Sequence, residues 1–410
     1  MKKVAVIGAG ITGVTSAYAL ALRGLDVTVF ERHRYAAMET SFANGGQLSA
    51  SNAEVWNHGS TILKGLKWML THDAPLLVNP RPTWHKLSWF AEFIAQIPHY
   101  EKNTVETTRL AIAARKHLCE WAENERIDFD LKREGILHFY RQKAGFEHAS
   151  RVSQLLAKGG LARRELSPSE ISEVEPTLKG NYYGGFFTES DSTGDIHKYT
   201  NGLAAAAQRR GVNFQFETEI LDVQARNGGV SVETRRDGST DKTAFDAIII
   251  CAGVNSRSIS ASLGDRLNVY PVKGYSITVH LNDPLSQRSA PTVSLLDDET
   301  KLVTSRLGPD RFRVAGTAEF NGVNRNIRAD RIQPLISWVE KCFPEVNTRN
   351  VTPWAGLRPM MPSMLPRVGP GRAPGVFYNT GHGHLGWTLS AATAEAIAQV
   401  VDDSFRNALH

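Results

Sequence analysis

One stretch, Val4–Gly13 (VAVIGAGITG), limits what this chain can fold into more than any other. Val4–Ile7 is an unbroken apolar run, the signature of a short buried strand. Gly8, Gly10 and Gly13 then spell G-x-G-x-x-G, and Val14–Arg23 is an apolar, alanine-rich helix. A second strand, Asp26–Phe30, ends in Glu31. The physics fits a dinucleotide. Gly8 permits the tight turn, Gly10 has no Cβ to block a pyrophosphate, and Gly13 lets helix and strand pack closely. The N-terminus of the helix offers free N–H groups and positive dipole to phosphate. Glu31 stands where a carboxylate accepts hydrogen bonds from a ribose.

With 410 residues the chain exceeds one compact core and suits two domains. Its formal charge of +5 is a mild excess with no long basic run, which argues for a solvated surface and against a nucleic-acid partner. Cys119, Cys251 and Cys342 lie far apart with no CxxC, so neither a disulfide framework nor a zinc or other metal site is indicated, and a reducing, cytoplasmic compartment is expected. Met1-Lys2-Lys3 before an apolar run resembles a signal peptide, but the spaced glycines and Thr12, Thr15 and Ser16 argue against export.

Small residues in Ser41–Ser49 suit backbone lying against a flat ligand. Ser60–Lys102 carries Trp68, Trp84, Trp89, Phe90 and Phe93, with Ile62, Leu63, Leu66, Met69 and Leu70 near helical spacing and Lys64 and Lys67 among them. It reads as a cover over an active site, or as a surface that dips into a bilayer interface or meets a lipid-soluble electron acceptor. Thr104–Glu125 is an amphipathic helix whose apolar positions are Leu110, Ile112, Ala113, Leu118 and Trp121. Gly135–Tyr140 reads as a strand and Pro168–Val174 as a helix capped by Ser167. His197–Arg210 is helical, Val212–Phe216 a strand, and Glu219–Ala225 with Gly229–Arg235 a hairpin that turns back at Asp237-Gly238. Phe245–Ala252 is a buried strand ending at Gly253, and Tyr270–Leu281 alternates like a sheet lining a cavity. Further strands fall near Thr300–Arg306 and Arg311–Thr317, with helices over Ala329–Lys341 and Leu389–Val401. Dinucleotide pieces thus lie at both ends and in the middle. The expected division is residues 1–55, 195–255 and 355–410 for the nucleotide and 56–194 with 256–354 for substrate.

A second glycine cluster, Gly381–Gly386, opens the last helix. A helix N-terminus aimed at a flavin stabilises the negative charge on the reduced ring, a feature that NAD enzymes do not need, so FAD is expected rather than NAD. Arg358, held between Leu357 and Pro359, offers a guanidinium fork for a carboxylate. Tyr275 is placed to add a hydroxyl from the central sheet, or to be a core tyrosine with a satisfied hydroxyl. His384 faces flavin or substrate, or is structural. Asp195 and His197 sit at a helix start, where Asp serves as a cap, so they are read as a cap and not as a catalytic dyad.

Together GAGITG with Glu31, ANGGQLS, PVKGYSIT at Pro271–Thr278, WAGLRP, NTGHGHLGWT and ESDSTGDIHKYT at Glu189–Thr200 resemble FAD-dependent amino-acid oxidoreductases of the D-amino-acid oxidase superfamily. Within it the resemblance is to D-amino acid dehydrogenases of the small-subunit type, over almost the whole chain. It implies an α/β (α+β overall) fold, in which a Rossmann-like FAD-binding domain joins a discontinuous mixed-sheet substrate domain. It implies noncovalent FAD held by Gly8, Gly10, Ile11, Thr12, Gly13, Glu31 and Arg32. Ser41 and Asn44, Gly45, Gly46, Gln47 and Leu48 would approach the flavin and ribityl chain. Ile220 would meet the adenine, and Gly253, Gly381, Gly383, His384, Leu385, Gly386 and Thr388 would complete the site. Arg358 matches the family's carboxylate-binding arginine, whereas His384 falls where some relatives place a second substrate arginine. The implied reaction oxidises a D-α-amino acid to a 2-oxo acid and ammonia by hydride transfer from Cα to flavin N5. Electrons would pass to a quinone-type acceptor, with peripheral membrane contact through 60–102. Rival readings are a cis-4-hydroxy-D-proline dehydrogenase, a glycine or sarcosine oxidase, and a non-catalytic flavoprotein subunit.

Overall fold

A computed structural model describes residues 1–59, 75–226 and 229–407. Trp68, Ile62, Leu63, Leu66, Met69, Leu70, Lys64 and Lys67 lie outside the described residues.

The runs VAVI and AIII become adjacent central strands, because a parallel strand covered on both faces is apolar throughout. The six-stranded sheet runs Arg367–Pro370, Val376–Thr380, Ala247–Ile250, Lys3–Ile7, Asp26–Phe30, Asn213–Gln215. All its pairings are parallel except the one made by Arg367–Pro370. Alternate residues face opposite layers. Val4, Val6 and Ile249 pack against the helices Ile11–Leu22, Ile196–Arg209 and Gly386–Asn407. Ala5, Ile7, Ile248 and Ile250 pack with Val223, Val230, Val232 and Phe245. These last four belong to an antiparallel sheet of Glu219–Arg226, Gly229–Arg236 and Ser239–Phe245. Asp237-Gly238 therefore joins the second and third of those strands, and the buried strand is only Ala247–Ile250. Ser239–Phe245 gave no alternation signal because it is an edge strand whose side chains are mostly exposed.

A nine-stranded mixed sheet runs Val351–Met360, Tyr270–His280, Arg311–Phe320, Leu302–Leu307, Ser294–Asp297, Ile136–Tyr140, Gly184–Thr188, Arg164–Leu166, with Leu76–Val78 added beside Arg311–Phe320. The helix Ala329–Cys342 covers one face, where Tyr275, Ile277, Val279, Phe312 and Val314 are buried. The other face carries the Ser41–Ser49 segment. Ser276 Oγ donates to Ala43 O at 2.8 Å, Arg313 Nη1 to Asn44 O at 3.0 Å and Ser305 Oγ to Gly45 O at 2.6 Å. Tyr270–His280 is consequently buried on both faces and does not alternate in exposure.

The long helix is Tyr100–Glu125, and it buries Thr104, Thr107, Thr108, Ala111, Ala114, Leu118 and Trp121. Ala113 is exposed: the buried stripe is built partly of threonines, which an apolar pattern does not count. In the helix Trp84–Ala95, Trp89 and Phe93 are core, and Trp89 Nε1 donates to Met360 O at 2.9 Å. Trp84, Leu87 and Ile94 are exposed.

Candidate active site

A cavity of about 680 Å³ extends from the glycine turn at the head of Ile11–Leu22 to the face of the nine-stranded sheet opposite Ala329–Cys342. At its nucleotide end Gly8 has φ +101°, and a Cβ there would lie 2.7 Å from Cys251 O, so only glycine fits. A Cβ on Gly13 would meet Gly8 O at 1.8 Å, which makes Gly13 the close contact between helix and turn; it does not border the cavity. Gly10 borders the cavity, and a Cβ on it would point into open space with Ser41 Oγ nearest at 3.6 Å. Glu31 accepts the Ala9 N–H at 2.8 Å and the His33 N–H at 3.0 Å, tying the turn to the end of the second strand. Ser41 Oγ accepts the Ile11 N–H at 3.1 Å, standing in for the side-chain cap that Gly10 lacks.

Thr12, Arg32, Asn44, Gly45, Gly46, Gln47, Ile220 and Gly253 also border the cavity. Gln47 Nε2 donates to Ser294 Oγ at 2.8 Å and Leu295 O at 3.1 Å. Leu48 does not line the cavity. It pairs with Ser192 across a two-stranded ladder, and alternation along that strand sends its side chain into the core.

Gly381, Gly383, His384, Leu385, Gly386 and Thr388 line the wall where the last helix begins. The His384 ring stacks on Trp56 at 4.8 Å and 25°, and it hydrogen-bonds the Asn52 backbone. Its Nε2 is buried without a partner. Burial and then the nearby positive charge of Arg358 lower the His384 pKa to about 4, so the ring is neutral at physiological pH.

Arg358 lies across Gly274 on the neighbouring strand. A Cβ there would fall 2.3–2.5 Å from its Nη2, Cζ and Nη1 atoms. Nη1 donates to Thr317 O at 2.7 Å, and Nη2 reaches Gly316 O at 3.5 Å. Among the described residues no carboxylate pairs with it, and burial alone lowers its pKa, to about 10, which leaves it charged at neutral pH. The guanidinium is half-buried on the cavity wall, with backbone carbonyls as its hydrogen-bond partners and no described anion to balance its charge. On the next strand position of the same face the Trp354 ring covers Gly356.

Tyr275 borders the same cavity as Arg358, but it does not bring its hydroxyl there. Its side chain lies on the opposite face, in the core under Ala329–Cys342, and its hydroxyl donates to Glu319 Oε2 at 2.7 Å. Asp195 is the cap of Ile196–Arg209, accepting the N–H groups of His197 and Lys198, and it is ion-paired to Arg311 at 2.7 Å. Sequence reasoning did not single out Glu54, Trp56, His138, Tyr140, His148 and Arg163, all of which line the cavity. They come from elements distant in the chain, and no local pattern marks them.

The cradle fits FAD: Gly10 and Gly253 leave room beside the cavity, and the two helix beginnings, at Ile11 and Gly386, flank it. A family model described as FAD dependent oxidoreductase (DAO) matches residues 3–400. The chain belongs to this family. FAD is its cofactor. The chain is 62% identical over 401 residues to D-amino acid dehydrogenase 3 of Mesorhizobium japonicum, covering 98% of this chain and 97% of that one. It is 39% identical to a D-amino acid dehydrogenase of Paramagnetospirillum magneticum, over 97% and 94% of the two chains. Among solved structures, glycine oxidase from Geobacillus kaustophilus superposes with a TM-score of 0.75 at 22% identity over 98% of this chain and 95% of that one. L-proline dehydrogenase from P. horikoshii gives 0.76 at 16% identity over 98% and 93%. At such identities these two likenesses concern the fold.

Proposed function

We propose that the chain is an FAD-dependent D-amino acid dehydrogenase, oxidising a D-α-amino acid to a 2-oxo acid and ammonia. The observation that carries this reading is Arg358: a charged guanidinium on the cavity wall whose only described partners are two backbone carbonyls. FAD, when bound, supplies the acceptor for the Cα hydrogen and its electron pair. Arg358 holds the substrate carboxylate by two parallel hydrogen bonds. His384, kept neutral, adds no charge that would repel an ammonium, and its Nε2 is the polar atom left to meet the substrate's amine. Trp56 and Trp354 exclude water along the same wall. The amino group reacts in its neutral form, its extra proton having passed to solvent; no side chain is required as a base at Cα, because that hydrogen leaves with its electrons, and water then hydrolyses the imino acid to the 2-oxo acid and ammonia.

Three finer readings accompany it. The units that bind FAD and substrate are proposed to be discontinuous, the nucleotide unit being built around the six-stranded sheet. Val351–Met360, which pairs with Tyr270–His280, belongs with the substrate unit. The electron acceptor is proposed to be a quinone, met at the exposed Trp84, Leu87 and Ile94. Among the described residues no helix is long and apolar enough to cross a membrane, so such contact would be peripheral.

The test is a substrate panel of D- and L-amino acids, glycine, sarcosine and cis-4-hydroxy-D-proline, run with a dye acceptor and separately with oxygen. Release of 2-oxo acid and ammonia from D-isomers with the dye, and little oxygen uptake, is the expected result. Rapid oxygen uptake with glycine or sarcosine would replace the reading by an oxidase.

A further inference from the structure

Behind Arg358, on the covered face of the sheet, lies a charged cluster that the chemistry above does not use. Lys273 and Glu319 are each 1% exposed and pair at 3.2 Å. The same carboxylate accepts from the Tyr275 hydroxyl at 2.7 Å and from Asn321 Nδ2 at 2.9 Å. Lys273 Nζ also reaches Asn324 Oδ1 at 3.3 Å and Asn326 O at 3.2 Å. A buried ion pair is weak evidence for stability, since desolvation offsets most of the attraction. Its position suggests another purpose.

The register between Tyr270–His280 and Arg311–Phe320 shifts here. Lys273 faces Glu319 but Tyr275 faces Gly316, so Thr317 and Ala318 both stand opposite Gly274. That is a bulge, and Thr317 takes φ +60°, a left-handed conformation that a β-branched residue adopts only under constraint. The bulge turns the carbonyls of Gly316 and Thr317 toward the guanidinium of Arg358. Glu319 bonds both residues that flank Gly274, Lys273 on one side and Tyr275 on the other. It therefore clamps the two ends of the bulge together.

We infer that Lys273, Glu319 and Tyr275 are positioning residues: they hold the bulge whose carbonyls aim Arg358 at the substrate carboxylate. The inference rests on the proposed role of Arg358. None of the three touches substrate. Loss of the clamp lets Thr317 relax to an extended conformation and swings its carbonyl away. The guanidinium then samples several orientations, and carboxylate binding weakens while the fold and the flavin site persist.

The test is a double-mutant cycle on the FAD-loaded enzyme, with Tyr275→Phe as the mild lesion, Glu319→Gln as the stronger one and Arg358→Leu as the reference. Readouts are kcat, KM for D-alanine, and the Kd of propionate followed by the shift of the flavin absorbance. Tyr275→Phe should raise KM and the propionate Kd about fivefold and Glu319→Gln about tenfold or more, with kcat within about twofold and FAD content unchanged. In the Arg358→Leu background Tyr275→Phe should add nothing, because residues acting as one unit are non-additive. Should Arg358→Leu itself leave KM and the propionate Kd unmoved, the carboxylate role of Arg358 fails. Should Arg358→Leu raise both while the clamp variants raise neither, or act additively with it, only the clamp is refuted. If Glu319→Gln does not fold, Tyr275→Phe, which removes one hydrogen bond and no charge, decides the matter.

Discussion

Replacing Gly274 by alanine tests the geometry of the site with a single methyl group. The new Cβ would lie 2.3 Å from Arg358 Nη2, 2.4 Å from Cζ and 2.5 Å from Nη1. Non-bonded heavy atoms settle near ~3.5 Å, so the guanidinium must withdraw by about 1 Å. The backbone allows alanine, since Gly274 sits in a strand and does not use the left-handed region. The atoms displaced are the tip of a long side chain, so the fold absorbs the change cheaply. The function does not. Withdrawal breaks the 2.7 Å bond to Thr317 O that fixes the guanidinium. A misplacement of ~1 Å in a positioning group can cost ~100-fold in rate, or about 2.7 kcal/mol of transition-state stabilisation. Steady-state kinetics with D-alanine and a dye acceptor should show that loss in kcat/KM, carried mainly by KM, with normal flavin content and a melting temperature within a few degrees of the parent. A kcat/KM within about threefold of the parent, in a protein that retains its flavin, would refute the placement of Arg358 over Gly274 as its working position.

Other perturbations separate the remaining roles. Arg358→Leu should lower kcat/KM by about two orders of magnitude or more, because a charge-assisted bidentate contact is lost, and should leave the flavin spectrum intact. Glu31→Ala removes the acceptor for the Ala9 and His33 N–H groups and the carboxylate proposed to hold the ribose, and should raise the FAD dissociation constant at least ~10-fold by fluorescence titration, at about 1.5–3 kcal/mol per charged hydrogen bond. Asp195→Ala removes a helix cap and an ion pair to Arg311; it should lower stability by about 2 kcal/mol in a denaturant melt without changing turnover, where a catalytic dyad would lose it. His382 is 2% exposed, and burial lowers its pKa to about 3, below the ~6.5 of an unfolded histidine. The unfolded chain therefore binds the extra proton between about pH 6.5 and 3, and stability must fall as pH falls through that window, by ~1.4 kcal/mol per pH unit. His382→Gln, which can keep a bond to Thr393 Oγ1, should flatten the decline seen in melts taken across those pH values.

What was legible in the sequence was local. The glycine turn, the strands beside it, the Ser167 cap and the Asp195 cap each depend on residues a few positions apart. The family resemblance added the division of labour between the two glycine clusters. What was not legible depends on strand pairing. Gly274 and Arg358 are far apart in sequence, and only their adjacency across the sheet shows that one is the floor for the other. Tyr275 lies one residue from Gly274, yet alternation sends it to the covered face, and the bulge that sets this register leaves no mark in residue pattern beyond an ordinary threonine at Thr317. Leu48 illustrates the same rule: next to Gln47, which borders the cavity, it points away. His138 and Arg163 reach the cavity from the far strands of the nine-stranded sheet and its connections, where no motif announces them.

The most direct test of the central claim is the visible spectrum of the purified protein under anaerobic conditions, recorded before and after D-alanine and, in a second sample, L-alanine. An oxidised flavin spectrum that D-alanine bleaches and L-alanine does not is the predicted result, and it would establish cofactor, reaction and stereochemistry in one experiment. A flavin spectrum left unbleached by D-alanine and by every other D-amino acid tried would contradict the proposed activity.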